Sequence, residues 1–256
     1  SQNGQGNNDR SHNPTHFRLR PRPTREDVSI STNKGQRTLG VRLAPDGNEK
    51  DEYTYRMQQA KQMGQRIKKA PLGREYIGIG FRAIWYMMIQ YPLGATCFTI
   101  KQCRKLQAQY LPIFLSKMGI NRMTPTAVRH GPLHLGGLDI FRLDTEQGIQ
   151  HTKMVIGHLR KDDEVGKMLH ISRDYLQLQA GVSWPVLSQP GHQQRKYVDP
   201  CYLTHTWEFL DSIDSHLRIE TKTWIRPQRQ NDSFIMEDIA NLPRVKPYEL
   251  VHAQQC

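Results

Sequence analysis

The chain lacks the long apolar run of a membrane-spanning helix, since no stretch approaches roughly 18 uninterrupted apolar residues. Its first thirty residues are mainly Asn, Gln, Gly, Arg and Pro, without the apolar region of a secretory signal. Four cysteines in 256 residues, without close-pair spacing, do not form a disulfide framework. We therefore expect a nuclear or cytoplasmic protein that is not secreted and has no membrane partner.

Recognisable catalytic arrangements are also missing. The single Asp-Asp pair, Asp162-Asp163, lies in a hydrophilic segment between two predicted helices. Polymerase carboxylates instead lie on a tight strand turn, where both reach metal ions about 4 Å apart. His192, Cys201 and His205 do not have zinc-ligand spacing and lack a fourth ligand. The sequence predicts no catalytic residue and no metal site in this chain.

Positive charge is what the chain has in excess, and the excess lies in its first half. The formal net charge is +12, of which residues 38–130 contribute +10 and residues 1–37 contribute +4. Residues 131–210 and 211–256 contribute −1 each. A localised basic field indicates a polyanionic partner. No basic amphipathic helix with a bulky apolar face favours a membrane, so we expect nucleic acid, with a merely solvated basic surface as the alternative.

Residue periodicity predicts a short β element near residue 40 and then a basic amphipathic helix. Leu39, Val41 and Leu43 alternate with Thr38, Gly40 and Arg42 and are expected to face one way, which indicates a strand ending at turn residues 45–48. From Glu49 to Lys69 the period is helical, with basic residues outside one apolar stripe. The stripe comprises Tyr53, Met57, Ala60, Gly64 and Ile67.

The rest of the chain reads as further helices. They are predicted over residues 74–90, 99–112, 144–159, 164–179 and 202–210, separated by loops at 119–137 and 182–200. A strand at 216–223 and a helix at 234–242 complete a small C-terminal part. The predicted fold class is mainly α, with a short β-hairpin near residue 40 and a small α+β C-terminal part.

The basic residues of the first helices are candidates for contacts with phosphates. Lys and Arg on helices can neutralise phosphates without reading bases. A solvated helical face is the alternative for a set of this density. The residues expected to lead the binding are Arg56, Lys61, Arg66, Lys68, Lys69 and Lys105.

Several motifs resemble reverse transcriptases of the non-LTR-retrotransposon type. Residues 38–48 (TLGVRLAPDGN), followed by a charged helix, are similar to the primer-grip strand and turn after the palm. Residues 84–92 resemble the thumb helix, and residues 115–140 resemble the post-thumb segment. Asp139 stands where many relatives have Gly in a Gly-Gly-Leu-Gly-Ile motif. The likeness covers roughly residues 30–240.

The resemblance implies a division of the chain. Residues 36–118 would form a thumb-like basic helical module, and residues 119–242 a post-thumb mixed helical module. Residues 1–35 would be a flexible basic arm or the edge of a truncated palm, and residues 243–256 a tail. The primer-grip-like residues would be Thr38, Leu39, Gly40 and Val41.

The resemblance also implies partners and a missing activity. The partners would be an RNA or RNA/DNA template-primer, with the palm and fingers of the same polyprotein. The family's catalytic aspartates lie upstream of the primer grip in a Tyr/Phe-x-Asp-Asp turn, and residues 1–37 contain none. We therefore expect no cofactor in this chain, since Mg²⁺ would belong to the missing palm, and no polymerase activity from the chain alone.

Two functions therefore remain open. The first is a thumb and post-thumb fragment of a retroelement reverse transcriptase, as a truncated reading frame, a domesticated fragment or a degenerate copy. The second is a helical structural or assembly protein, such as a capsid-like one, with incidental RNA binding. Salt-dependent affinity for duplex over single strand favours the first, and assembly into large particles favours the second.

Overall fold

The computed structural model describes residues 32–161, 163–182 and 184–219, together with Asp238, Ile239 and Leu242. It is mainly α-helical with a two-stranded antiparallel hairpin, as the periodicity predicts. The strands are β1 (Gln36–Thr38) and β2 (Val41–Leu43). The helices are α1 (Lys50–Lys69), α2 (Arg74–Gly80), α3 (Met87–Leu93), α4 (Ile100–Ala108), α5 (Leu111–Lys117), α6 (Thr126–His130), α7 (Leu143–Leu159), α8 (Glu164–Ala180) and α9 (Tyr202–Ser212).

The alternating run that predicts a single strand is divided in the structure between the turn of the hairpin and β2. Leu39 and Gly40 have φ angles of 48° and 91°, and Thr38 pairs with Val41. Two successive positive φ angles are typical of the type I′ turn, whose twist matches that of a hairpin. The prediction that Leu39 shares a face with Val41 is therefore wrong. Leu39 is exposed at the tip, whereas Val41 is buried.

Helices α2 and α3 form one continuous rod through a π-helical turn, Phe81–Tyr86. The buried residues of this rod recur every four positions. Four residues of α-helix rotate by about 400°, so such a stripe drifts by about 40° per step. A wider π turn reverses part of that drift and keeps the stripe on the core. Helical spacing predicts Ile84 and Met88 on the same face as Ile77, Phe81 and Trp85, but both are exposed. The stripe comprises Ile77, Phe81, Trp85, Ile89 and Leu93.

Two hydrophobic cores divide the described residues, and α7 belongs to both. The first core extends from Ala60 to Leu143, and includes Ile140. The second extends from Val155 to Leu210. The first core therefore continues past residue 118, and the change from one core to the other falls within α7.

Polar contacts to the segment before α4 connect the two cores. The backbone N–H of Phe98 donates to Gln147 Oε1 at 3.1 Å, and Gln147 Nε2 donates to Phe98 O at 2.8 Å. His151 Nε2 lies 2.7 Å from Thr96 O. The Tyr202 hydroxyl of α9 donates to Gly94 O at 3.1 Å. Helices α7 and α9 thus hold residues 94–98 by their backbone.

Outside the long helices, the structure differs from the predictions in two segments. The loop predicted at 119–137 contains α6 and a short 3₁₀ turn, Leu133–Leu135. Residues 216–219 of the predicted strand are described and form no β-pairing, while residues 220–223 lie outside the described part. Asp238 and Ile239 are helical, but most of the helix predicted at 234–242 also lies outside the described part of the chain. In the described part, no helix is both long and apolar enough to cross a membrane.

Candidate nucleic-acid interface

The first core carries many cations and almost no acids to pair with them. Residues 53–138 contain 13 Lys and Arg and one acidic residue, Glu75. Of these 13 cations, only Arg56 forms an ion pair with any described residue. The exposed ones therefore have no counter-ion among the described residues. The exposed candidates from the sequence are Lys61, Arg66, Lys68, Lys69 and Lys105.

A close crossing of α1 and the end of α4 brings together the two segments that carry three of these lysines. A Cβ on Gly64 would lie 2.5 Å from Gln109 O, so only glycine fits this approach. Lys61 and Lys68 lie about one turn before and after Gly64 on α1. Lys105 lies one turn before Gln109, whose Nε2 donates to Lys105 O at 3.1 Å. We call Lys61, Lys68 and Lys105 the crossing lysines.

The two remaining exposed candidates lie on other sides of α1. Residues on an α-helix are about 100° apart, so Lys69 lies beside Lys68 but farther from the crossing. Arg66 follows Gly64 by two positions and points nearly opposite to it. The candidates therefore form a basic surface around α1 rather than one cluster.

Arg56 does not belong to this surface, and its prediction as a phosphate contact is wrong. It is 5% exposed, and its Nε donates to Glu52 Oε1 at 2.5 Å. One Nη donates to Gly40 O at 2.8 Å, and the other to Gln59 Oε1 at 2.8 Å. The hairpin covers the face of α1 that carries Arg56, so the guanidinium anchors the hairpin instead of facing solvent.

Glu52 completes the attachment of the hairpin to α1. Its Oε2 accepts the backbone N–H of Arg42 at 2.7 Å. The Arg42 guanidinium lies 3.7 Å from the centre of the Tyr55 ring, within the range of a cation–π contact. The i,i+4 spacing of Glu52 and Arg56 was a signal for this pairing in the sequence, but it could not show that the pair is buried.

The primer-grip-like residues take different positions in this hairpin. Val41 is buried, Thr38 is exposed on β1 and Gly40 is held through its carbonyl by Arg56. Leu39 projects from the tip and is 85% exposed. Leucine in the left-handed conformation costs about 1–2 kcal/mol. Near the tip, a Cβ on Gly40 would lie 3.7 Å from the ring of Tyr91, which is also exposed.

Residues that could suggest metal chemistry have other roles. Asp163 caps α8, accepting the N–H of Gly166 at 2.6 Å, while Asp162 lies outside the described part. Burial raises the pKa of the Cys97 and Cys103 thiols to about 12, so both stay protonated. In the described ranges, no group of three or more His, Cys, Asp or Glu could hold a metal ion.

Comparisons of the chain with protein-family models, with curated proteins and with solved structures each gave no match.

Proposed function

We propose that this chain is the thumb and post-thumb part of a retroelement reverse transcriptase and grips the backbone of a template-primer. The observation that carries the proposal is the set of exposed cations on α1 and α4 that lack any counter-ion among the described residues. Cations without internal partners are available to neutralise phosphates, which bind without base specificity.

In this proposal the hairpin and the basic surface have separate tasks. The crossing lysines and Lys69 contact successive phosphates, so they supply the salt-dependent part of the affinity. The hairpin, fixed to α1 by Glu52 and Arg56, presents Leu39 to the primer end. The exposed Tyr91 near the tip and Met87, one helical turn before it on α3, provide an apolar contact for the palm of the same polyprotein. Mg²⁺ and the catalytic aspartates belong to that palm.

The test is binding of a fluorescently labelled RNA/DNA primer-template, measured by anisotropy at several salt concentrations. Each phosphate contact makes log K fall by about 0.9 per decade of salt on duplex DNA. Replacing Lys68 and Lys69 together by Ala should weaken binding for every sequence. It should also flatten the salt slope by up to about two.

A matched control uses two lysines from the region of the chain that contributes to the second core. Lys153 and Lys161 are also exposed lysines, so their double replacement by Ala should leave the slope unchanged. An unchanged slope in the Lys68/Lys69 variant would remove these residues from the interface. No binding at low salt would overturn the function. Binding to anionic vesicles instead would favour a membrane surface, and large particles would favour an assembly protein.

A further inference from the structure

Helix α8 has two apolar faces, and the described part of the chain covers one of them. Leu176 and Ala180 belong to the second core, on the side that packs against α7. The opposite side, which we call the outer face, carries four apolar side chains that are 57–69% exposed. A contiguous exposed stripe of this kind marks an interaction site. The outer face comprises Met168, Ile171, Tyr175 and Leu178.

The spacing of the outer face indicates what kind of surface covers it. Met168, Ile171, Tyr175 and Leu178 are separated by three, four and three positions. This is the spacing of a coiled-coil seam, in which a helix packs lengthwise on another at a shallow angle. The partner surface is therefore a helix that runs along α8.

The charges beside the seam identify the partner. Lys167 precedes Met168 and Asp174 precedes Tyr175, so the two charges occupy equivalent positions on one flank. The other flank carries the uncharged Val165, Ser172 and Gln179. In an antiparallel pair the charged flank of one helix faces the charged flank of the other. We propose that a second copy of this chain covers the outer face, with the two α8 helices antiparallel and Lys167 of each copy beside Asp174 of the other.

This alignment pairs the N-terminal half of the seam. It stacks Met168 on Ile171 of the other copy, twice by symmetry, as in an isologous dimer. Tyr175 then lies beside Glu164 of the other copy, whose carboxylate can accept the phenol O–H. Exposed ion pairs contribute little free energy, so they select the orientation while the apolar contacts supply the affinity.

Both charged side chains remain accessible for such a contact. Lys167 Nζ lies 3.4 Å from Glu164, and its side chain is 56% exposed. Asp174 contacts Arg173 through Oδ1 at 2.7 Å, and its side chain is 60% exposed. Each therefore keeps a solvent-facing side for a second copy. The dimer does not depend on nucleic-acid binding, since no crossing lysine lies on α8.

The first test is the mass of the full chain by sedimentation over a range of concentrations. We expect a dimer that dissociates on dilution. Ile171→Glu should give a monomer with an unchanged unfolding temperature. Ile79→Glu, at an equally exposed isoleucine on α2, should leave the dimer intact. A chain that stays monomeric, or a dimer that survives Ile171→Glu, would overturn the proposal. So would a monomer that Ile171→Glu destabilises, because the chain's own residues would then cover the face.

The second test concerns orientation. Lys167→Glu and Asp174→Lys should each weaken the dimer, because each creates two contacts between like charges. Mixing the two variants should restore association, since the introduced glutamate then faces the introduced lysine and the native charges face each other. The two positions are about 10 Å apart along one helix, so the restoration cannot arise within one copy. Failure to associate on mixing at low salt would overturn the antiparallel arrangement.

Discussion

The two cores of this protein differ in how many of their cations are paired internally. Between residues 53 and 138, only one of the 13 Lys and Arg residues, Arg56, forms an ion pair with any described residue. Between residues 139 and 219, four of the nine Lys and Arg residues, together with His158, form ion pairs among the described residues. Positive charge therefore indicates an external anion only where the chain itself supplies no acid. The pairs of the second region are Arg142–Asp144, His158–Asp163, Lys167–Glu164, Arg173–Asp174 and Arg195–Asp211.

The largest expected effect is on the free energy of unfolding. It distinguishes Arg56, the paired cation of the first region, from the unpaired cations. Arg56→Ala would leave Glu52, which is fully buried, without its counter-ion. Breaking a buried pair from one side costs about 3–5 kcal/mol. Lys61→Ala, at an exposed position on the same helix, should stay within about 0.5 kcal/mol of the wild type. Urea unfolding followed by circular dichroism measures both.

A further variant distinguishes two causes of lost stability, an unpaired buried charge and lost packing. Replacing Glu52 by Gln and Arg56 by Met together removes both charges while keeping much of the volume. We expect this double variant to recover most of the stability that Arg56→Ala loses. Equal stability of Arg56→Ala and wild type would mean that Arg56 is a free surface cation, and the contrast with Lys61 would disappear.

The next effect is a dependence of the free energy of unfolding on pH. It arises from His151, at the junction between the cores. Burial is the main cause that lowers the pKa of His151 to about 4, and the nearby His205 contributes to this lowering. The unfolded chain has a histidine pKa of about 6.5. It therefore takes up a proton before the folded protein does, and stability falls as the pH drops from about 6.5 towards 4. The slope is about 1.4 kcal/mol per pH unit.

Urea unfolding at about pH 7 and about pH 5 checks this dependence. His151→Gln keeps a side-chain donor for Thr96 O but removes the titration. Burial also lowers the pKa of His130 and His205, so a smaller slope of the same sign should remain. A slope equal to that of the wild type would show that His151 does not titrate between the cores.

A smaller effect tests how closely the second core is packed. A Cβ on Gly148 would lie 2.1 Å from the Phe209 ring, so Gly148→Ala overpacks the contact between α7 and α9. Such overpacking costs about 1–3 kcal/mol. Gly157, on the same helix, has nothing within 4 Å of its Cβ position. Gly157→Ala should therefore stabilise by up to about 1 kcal/mol. Thermal unfolding that changes equally in both variants would contradict this packing.

Local signals predicted the helices of both cores well. Thr99 and Gln102 form the capping box that their spacing indicates, and Gly181 ends α8 in the left-handed conformation. These features depend on residues within one turn of each other, so the sequence contains them in full. The π turn depends instead on a buried stripe of period four, which becomes visible only when the core shows which residues are inside.

The candidate site was predicted less completely than the helices. Periodicity places Lys61 and Lys68 outside the apolar stripe of α1, and the structure exposes both. The same reasoning placed Arg56 outside, but the hairpin covers that side of the helix. The grouping of Lys105 with α1 depends on the contact of Gly64 with Gln109. The burial of Arg56 and the grouping of Lys105 depend on contacts between segments that are distant in the sequence. The periodicity of a single helix does not predict such contacts.

The smallest effect on stability is expected at the hairpin tip. Leu39 occupies the first turn position with φ of 48°, where Asn is preferred, and Asn-Gly is the favoured type I′ pair. Leu39→Asn removes no buried contact, because the side chain is 85% exposed. It should therefore raise the free energy of unfolding by up to about 1 kcal/mol. Leu43→Asn, on β2 outside the turn, should give no such gain. A loss of stability in Leu39→Asn would contradict the turn geometry.

The same variant separates the hairpin from the basic surface. If Leu39 touches the primer end, Leu39→Asn weakens binding while the salt slope stays constant, because the leucine neutralises no phosphate. The Lys68/Lys69 variant should instead change affinity and slope together. Anisotropy titrations of both variants at several salt concentrations measure this difference. Unchanged affinity in Leu39→Asn would remove the tip from the interface and leave the cations of α1 and α4 as the whole of it.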